Sequence, residues 1–184
     1  MLQIYGNGFL NSYSQVFFSN NKTLAILLFL VTFLNPVSGL SGAIAIIIGQ
    51  ILARGFNFSQ VLISDGTYTY NSLMVGVGMG VIYDPSMAYL VVLIVFSIIT
   101  FFLSVWLSHF FSLKKLPFLS IPFLLAMWLV LLGGDSFSSL QLSSRQIWFL
   151  GFNSTGLINQ VAEFVGTLPF PDVLHLYLRS LGAI

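Results

Sequence analysis

The chain has 184 residues, of which 57% are hydrophobic and 6% are charged, and its formal net charge is +1. Soluble domains carry about 25% charged residues, so this chain cannot cover itself with a polar surface, and we predict an integral membrane protein. The lack of cysteine excludes disulfides and thiolate metal sites, and the small net charge without a basic run argues against nucleic acid as a partner.

Apolar runs without lysine, arginine, aspartate or glutamate follow one another along the chain, at residues 23–37, 40–53, 66–83, 86–111 and 116–132. A membrane-spanning helix needs about 20 residues, so the fourth run can cross with tilt. The first two runs are short and meet at "NPVSG" (35–39), which predicts tightly turned helices. We therefore predict an all-α membrane domain over residues 1–135, with about five crossings and additional re-entrant or half helices.

The few charges give this domain an orientation. Suppose that Lys22 is cytoplasmic and that successive runs cross the membrane in opposite directions. The basic residues on the cytoplasmic side are then Lys22, Arg54, Lys114 and Lys115. Asp84 and Asp135 then lie outside, as the positive-inside rule expects, and Arg145 is an exception. We predict a multi-pass protein of the cell membrane with a cytoplasmic N-terminus.

The character of the chain changes after residue 135. Residues 136–177 are polar or interrupted by glycine, asparagine, serine and the breaker "PFPD", which predicts an external connector with an interfacial or re-entrant helix. Residues 178–184 ("LRSLGAI") align weakly with residues 10–16 ("LNSYSQV"), as if a second repeat began there.

Three segments place helix breakers and hydrogen-bonding side chains inside apolar sequence: 14–21 ("SQVFFSNN"), 66–80 ("GTYTYNSLMVGVGMG") and 116–123 ("LPFLSIPF"). Non-helical backbone at membrane depth is tolerated only where it is buried in protein or lines a wet cavity. Discontinuous helices of this kind mark binding sites in transporters, because their ends expose unpaired carbonyl and N–H groups. These segments are therefore the candidate solute site.

In the first segment Gln15 and Phe18 are three residues apart, which on a helix puts an amide and a ring on one face. That pair suits a flat solute with polar edges, and it equally suits an interfacial helix with its ring at headgroup level. In the second segment Tyr70 and Asn71 offer an aromatic face and an amide. Close helix packing is the role we predict for its alternating glycines, Gly76, Gly78 and Gly80.

In the third segment Pro117 and Pro122 each remove a backbone donor, and a helical Pro122 would free the carbonyl four residues earlier. Ser120 lies between the two prolines and offers a rotatable hydroxyl to a small hydrogen-bonding solute. The alternative is that Pro117 opens a helix and that Ser120 bonds to its own backbone.

The predicted spans contain no lysine, arginine, aspartate or glutamate unless Asp65 reaches into the third. An ion-coupled carrier or a proton pump normally needs such groups, and Asp65 is predicted to cap the helix that follows it. His109 and His175 are isolated, Glu163 is a surface charge, and the acids show no paired-carboxylate or metal pattern. We therefore predict neither an enzyme nor a bound metal or cofactor.

These segments resemble motifs of the urea transporter family. "GTYTYNSLMVG" is similar to the family motif G-L-x-G-Y/F-N-G-x-L-V-G, with Met74 at the family's leucine and matches at Gly66, Tyr70, Asn71, Val75 and Gly76. "LPFLSIPFLLAMW" resembles L-P-x-L-T-x-P-F…W, with Ser120 in place of threonine and matches at Pro117, Pro122, Phe123 and Trp128. "SQVFFSNN" resembles Q-V-x-F-x-N-N, and "NPVSGL", which contains Asn35 and Pro36, resembles a further family element.

The resemblance implies a channel-type facilitator through which urea permeates passively, without coupling to an ion. It also implies a fold of two inverted half-repeats of five spans each, one pore per protomer, and homotrimers in the lipid bilayer. The predicted crossings match one half, so the pore needs a second half-repeat or another copy to close it. The chain is then a partial sequence, one of two copies that share a pore, or a degenerate relative, and we predict the first.

Carried onto this sequence, the resemblance assigns the residues that line the pore: Gln15, Phe18, Tyr70, Asn71, Met74 and Ser120. Phe18, Tyr70 and Met74 would form the walls of a slot. Gln15 would offer its amide, and Ser120 would supply the hydroxyl at the narrow point. Two other functions stay open, namely facilitated passage of another small neutral solute (a short amide, ammonia or water) and a membrane scaffold or anchor that transports nothing.

Overall fold

The computed structural model describes residues 2–134 and 140–143, which contain seven α-helices and no strand. In chain order the helices are α1 (Leu2–Gln15), α2 (Lys22–Thr32), α3 (Pro36–Gly55), α4 (Gln60–Ser64), α5 (Tyr70–Ile82), α6 (Met87–Ser112) and α7 (Ile121–Gly134). The predictions for residues 144–184, including the connector helix and the start of a second repeat, lie outside the described part of the chain.

Short polar side chains start three of the helices. Asn21 Oδ1 accepts the N–H of Thr23 at 2.9 Å before α2, and the Ser86 hydroxyl accepts an N–H of α6 at 3.0 Å. Asn35 caps α3 in the same way, and Pro36 is the first residue of that helix. These bonds satisfy N–H groups that the first turn of a helix leaves without a partner. The tight turn predicted between the first two apolar runs is confirmed.

Each of the five predicted apolar runs contains a helix, namely α2, α3, α5, α6 and α7. By length and composition, two helices of the described chain could cross a membrane: α3 with 20 residues and α6 with 26. The other three have 11, 13 and 14 residues, or about 16–21 Å of helix, whereas the hydrocarbon core is about 30 Å thick. The number of crossings therefore stays a prediction.

Glycines bring α3 and α5 into backbone contact. A Cβ built on Gly76 would lie 2.5 Å from the carbonyl oxygen of Ser41, and one built on Gly80 would lie 2.5 Å from the α3 backbone. Only glycine permits such an approach, so the predicted packing role is confirmed for these two residues. Gly78 differs, because a Cβ there would meet the flexible end of Met127 at 3.3 Å.

Small polar residues lie inside the helix bundle, and large apolar residues lie outside. The hydroxyls of Ser97, Thr100 and Ser104 are buried and donate to carbonyls of α6 at 2.6, 2.6 and 2.8 Å. Large apolar side chains are exposed along the same helix, among them Leu90, Val91, Ile94, Val95, Phe102 and Trp106. Small polar residues between helices and apolar residues toward the surroundings are typical of helices in lipid.

Two sequence predictions about the start of α5 need correction. Asp65 does not cap this helix, because it follows α4 and the N-cap of α5 is Thr69. The helix begins at Tyr70, later than the apolar run, because Gly66 adopts a left-handed turn with φ +75°. A Cβ on Gly66 would also lie 2.4 Å from the Ser12 nitrogen, so both the backbone angle and the space require glycine.

Residues 140–143, the described part of the predicted connector, lie against the end of α5. The N–H of Ser143 donates to the Ile82 carbonyl at 2.8 Å, and the N–H of Asp84 donates to the Gln141 carbonyl at 2.9 Å. These four residues therefore pair with the chain that leaves α5.

Candidate functional site

The segments singled out in the sequence meet at Tyr70, the first residue of α5. The ring of Phe18 lies edge-on to the ring of Tyr70, with 6.1 Å between centroids and an interplanar angle of 74°. The ring of Phe118 contacts Tyr70 as well, at 6.1 Å between centroids. The fold thus brings segments 14–21, 66–80 and 116–123 together around one tyrosine.

Tyr70 and Asn71 are also hydrogen-bonded to the third segment. The Tyr70 hydroxyl donates to the Leu119 carbonyl at 2.5 Å, and Asn71 Nδ2 donates to the same carbonyl at 3.4 Å. Asn71 Oδ1 accepts the N–H of Phe123 at 3.3 Å. Asn71 is 0% exposed and Tyr70 is 2% exposed. The side chains that make these bonds are therefore buried, and a buried polar group left without a partner costs about 1–3 kcal/mol.

Two residues other than glycine adopt a left-handed backbone at this site. Phe18 has φ +52° and Leu119 has φ +46°. Such conformations cost on the order of 1–3 kcal/mol and tend to cluster at functional sites, where the surrounding structure holds them. Here both residues contact Tyr70, Phe18 through its ring and Leu119 through its carbonyl.

The helical geometry predicted for Gln15 and Phe18 is wrong. α1 ends at Gln15, and Phe18 lies beyond it in a turn in which its N–H donates to the Gln15 carbonyl at 2.9 Å. The two residues therefore share a turn instead of a helix face. Phe18 is 58% exposed. Gln15 is half-buried, and its side-chain amide makes no hydrogen bond with residues 2–134 or 140–143.

The alternative interpretation of the proline segment needs correction, and the helical stretch that would let Pro122 free a carbonyl is not present. α7 begins at Ile121, so the fully buried Pro122 lies in its first turn and the exposed Pro117 lies outside it. Pro122 frees no carbonyl, because the carbonyl of Phe118 accepts the Ile121 N–H at 3.3 Å. Ser120 is half-buried, and its hydroxyl makes no hydrogen bond within the described residues, to its own backbone or elsewhere.

A cavity of about 300 Å³ opens one turn further along α5. Phe123 lines it from α7, and four residues line it from α5, namely Leu73, Met74, Val77 and Gly78. Its other lining residues are Tyr13, Val16, Leu28 and Thr32. The walls are almost wholly apolar. Met74, predicted as a wall of the slot, thus borders this cavity, and the N–H bond of Phe123 to Asn71 links the cavity to the Leu119 turn.

The remaining predicted residues occupy other places. Asn35 and Pro36 start α3, and Gly66 and Gly76 make the backbone contacts described above. His109 is exposed in the last turn of α6. Among the described residues, no cluster of side chains that could bind a metal includes it. The predictions for Arg145, Glu163 and His175 lie outside the described residues.

Leu119 is the contact residue that sequence reasoning missed. It contributes a main-chain oxygen, and a leucine carries no signal for a left-handed backbone. The available signal was the spacing of the two prolines at 117 and 122, which leaves a short non-helical stretch whose carbonyls can bond to other elements.

The described chain is all-helical, keeps small polar residues inside, turns large apolar residues outward, and includes two helices that could cross a membrane. These features are typical of an α-helical membrane protein. The chain belongs to the urea transporter family, since the family model described as UT, urea transporter, matches residues 7–184. The match confirms the resemblance drawn from the motifs, and it places the chain in a family of transporters.

Proposed function

We propose that the protein lets urea cross the membrane passively along a path past Phe18, Tyr70 and Ser120 and then past Met74. The observation that carries the proposal is the convergence of three separate family motifs on Tyr70, beside a Ser120 hydroxyl that has no partner within the described residues. Membership of the urea transporter family supports urea as the permeant.

The chemistry of these residues suits urea. Urea is neutral and planar, with N–H donors along its edges and one carbonyl acceptor. Apolar and aromatic walls such as Phe18 and Met74 match its flat faces, and a hydroxyl can either accept from its N–H groups or donate to its carbonyl. Each hydration bond lost on entry must be replaced, because an unpaired amide in an apolar site costs roughly 2–7 kcal/mol.

Neutrality provides the selection against ions. The helices that carry Tyr70, Met74 and Pro122 contain no lysine, arginine, aspartate or glutamate. An ion that entered their surroundings would lose its hydration without a countercharge, at a cost of several kcal/mol. Passage of urea then needs no coupling to an ion gradient.

The proposal includes a topology and an assembly. Lys22 is exposed and follows Phe18 by four residues, and the exposed Lys114 and Lys115 precede Phe118 by four and three residues. Because the rings of Phe18 and Phe118 both contact Tyr70, this supports one basic, cytoplasmic end for the bundle. We infer about five crossings, a cytoplasmic N-terminus and a location in the cell membrane. The inverted repeat, closure of the pore by a second half-repeat or another copy, and the homotrimer are inferred from the family.

The proposal is tested by urea efflux from vesicles that contain the reconstituted protein. Ser120→Val removes the hydroxyl and puts two methyl groups on the Cβ, and it is expected to lower urea flux per protein by about tenfold, equivalent to one hydrogen bond in the barrier. Ser112→Val is the matched control, because Ser112 is exposed at the end of α6 and its hydroxyl donates to the His109 carbonyl at 2.7 Å. Flux is expected to be independent of ion gradients.

The same assay separates the alternatives. Vesicles no more permeable to urea than protein-free lipid would refute the proposal and favour a scaffold. Faster passage of a short amide, ammonia or water than of urea would favour another neutral solute. Normal urea flux in Ser120→Val would remove Ser120 from the path.

A further inference from the structure

We propose that the Tyr70 hydroxyl and the Asn71 amide are positioning residues that hold the Leu119 turn so that the Ser120 hydroxyl faces the permeant. The inference rests on the proposed function, because it concerns the same site. It assigns a different role to Asn71 and to the hydroxyl of Tyr70, since both act through Ser120, and it leaves the Tyr70 ring as a wall of the path.

The hydrogen bonds bracket Ser120 on both sides. The carbonyl just before it, that of Leu119, accepts from the Tyr70 hydroxyl at 2.5 Å and from Asn71 Nδ2 at 3.4 Å. The N–H three residues after it, that of Phe123, donates to Asn71 Oδ1 at 3.3 Å. Two adjacent residues of α5 therefore fix both ends of the short stretch that carries the serine.

The same bonds decide which oxygen is free. A backbone carbonyl has two lone pairs, and two donors already occupy the Leu119 oxygen. The neighbouring Ser120 hydroxyl has no hydrogen bond within the described residues. Of these two oxygens, the one left for a solute is therefore the Ser120 hydroxyl, which can accept and donate, whereas a carbonyl can only accept.

The Leu119 turn needs hydrogen bonds from another element to stabilise its backbone conformation. Leu119 has φ +46°, a left-handed conformation that a leucine rarely adopts without support from its surroundings. Asn71 is 0% exposed, and both the nitrogen and the oxygen of its amide bond to this segment. The Tyr70 ring meets Phe18 and Phe118 through its faces and edges. Tyr70→Phe therefore removes the hydrogen bond to the Leu119 carbonyl and keeps the contacts of the aromatic ring.

A double-mutant cycle tests whether Tyr70 acts through Ser120. Tyr70→Phe is expected to reduce urea flux about fivefold, which corresponds to about 1 kcal/mol at 1.36 kcal/mol per factor of ten. When Ser120→Ala is already present, Tyr70→Phe should cause no further loss, because there is no hydroxyl left to position. If the two losses multiply, Tyr70 acts independently of Ser120 and the inference is overturned.

Tyr89→Phe is the matched control for the cycle. The Tyr89 hydroxyl is similarly buried, and it is hydrogen-bonded to the Ser41 hydroxyl at 2.5 Å between α6 and α3. Its effect on urea flux, whatever the size, should multiply with that of Ser120→Ala. Should Tyr70→Phe give no folded protein, Asn71→Leu, which has a similar volume and no amide, replaces it in the cycle with the same expected outcome.

A second measurement tests the positioning without urea transport. The sequence has no cysteine, so Ser120→Cys introduces a single thiol whose rate of modification by methyl methanethiosulfonate reports its presentation. Tyr70→Phe is expected to change this rate at least about threefold, the effect of a hydrogen bond of typical strength, and Tyr89→Phe to leave it unchanged. If Tyr70→Phe leaves the modification rate of the thiol unchanged, the inference is refuted, even if the parent protein conducts urea normally. If the modification rate changes but the parent protein does not conduct urea, only the proposed function is refuted.

Discussion

The contact between α3 and α5 gives a prediction in which two neighbouring glycines behave in opposite ways. A Cβ on Gly76 would lie 2.5 Å from the Ser41 carbonyl oxygen and 2.8 Å from the Ser41 carbonyl carbon. Ordinary contacts of a Cβ start at 3.4 Å, so Gly76→Ala forces two backbones apart by up to about 0.9 Å. We expect overpacking to lower the free energy of unfolding by about 1–3 kcal/mol. The better helix propensity of alanine offsets about 0.5–1 kcal/mol of this loss.

Gly78→Ala is the matched control in the same helix. A Cβ there would meet the terminal methyl and sulfur of Met127 at 3.3 Å, and the end of a methionine side chain can move a few tenths of an ångström. The gain in helix propensity of about 0.5–1 kcal/mol should then be retained. Gly78 also borders the apolar cavity, which leaves room for the added methyl.

The assay is the midpoint of thermal aggregation of the purified protein in detergent, read by size-exclusion chromatography after heating. Gly76→Ala should lower the midpoint clearly below that of the parent, and Gly78→Ala should leave it unchanged or raise it. Equal midpoints for the two variants, or a more stable Gly76→Ala, would show that the backbones of α3 and α5 are not in contact and would refute the reasoning.

Two further predictions concern the turn before α5 and the orientation in the membrane. Gly66→Ala should abolish the yield of monodisperse protein, because φ is +75° and a Cβ would lie 2.4 Å from the Ser12 nitrogen. Gly6→Ala is the control and should keep the yield, because a Cβ on Gly6 would meet no atom within 4 Å. A normal yield of Gly66→Ala would contradict that geometry. In the cysteine-free chain, Lys22→Cys should react with a membrane-impermeant maleimide only after the cells are opened, and Asp84→Cys should react in intact cells. Labelling of both from the same side would rule out the proposed topology.

Sequence reasoning succeeded where local chemistry decides the outcome. Asn35 followed by Pro36 starts a helix, because a side-chain oxygen next to a fixed φ supplies what a first turn needs. The apolar runs became helices, and Gly76 became a packing position, because composition sets which residues can face lipid or another backbone.

Sequence reasoning failed where the chain leaves regular structure. Phe18 was assigned to a helix face by its spacing from Gln15, and the helix ends before it. The spacing of Pro117 and Ser120 offers a helix that starts at Pro117, but α7 begins at Ile121 and Pro122 lies in its first turn, where a missing N–H has no consequence. Asp65 was assigned to the wrong helix, since the turn at Gly66 separates it from α5.

The amino-acid sequence by itself determined that this chain is an α-helical membrane protein of the urea transporter family, and it identified three interrupted segments as the candidate solute site. Only the tertiary structure decided that these segments meet at Tyr70, and that the bonds of Tyr70 and Asn71 occupy the Leu119 carbonyl next to a Ser120 hydroxyl with no partner in the described chain. The reason is physical: hydropathy and capping act between near neighbours, whereas these hydrogen bonds join residues 48 and 49 positions apart.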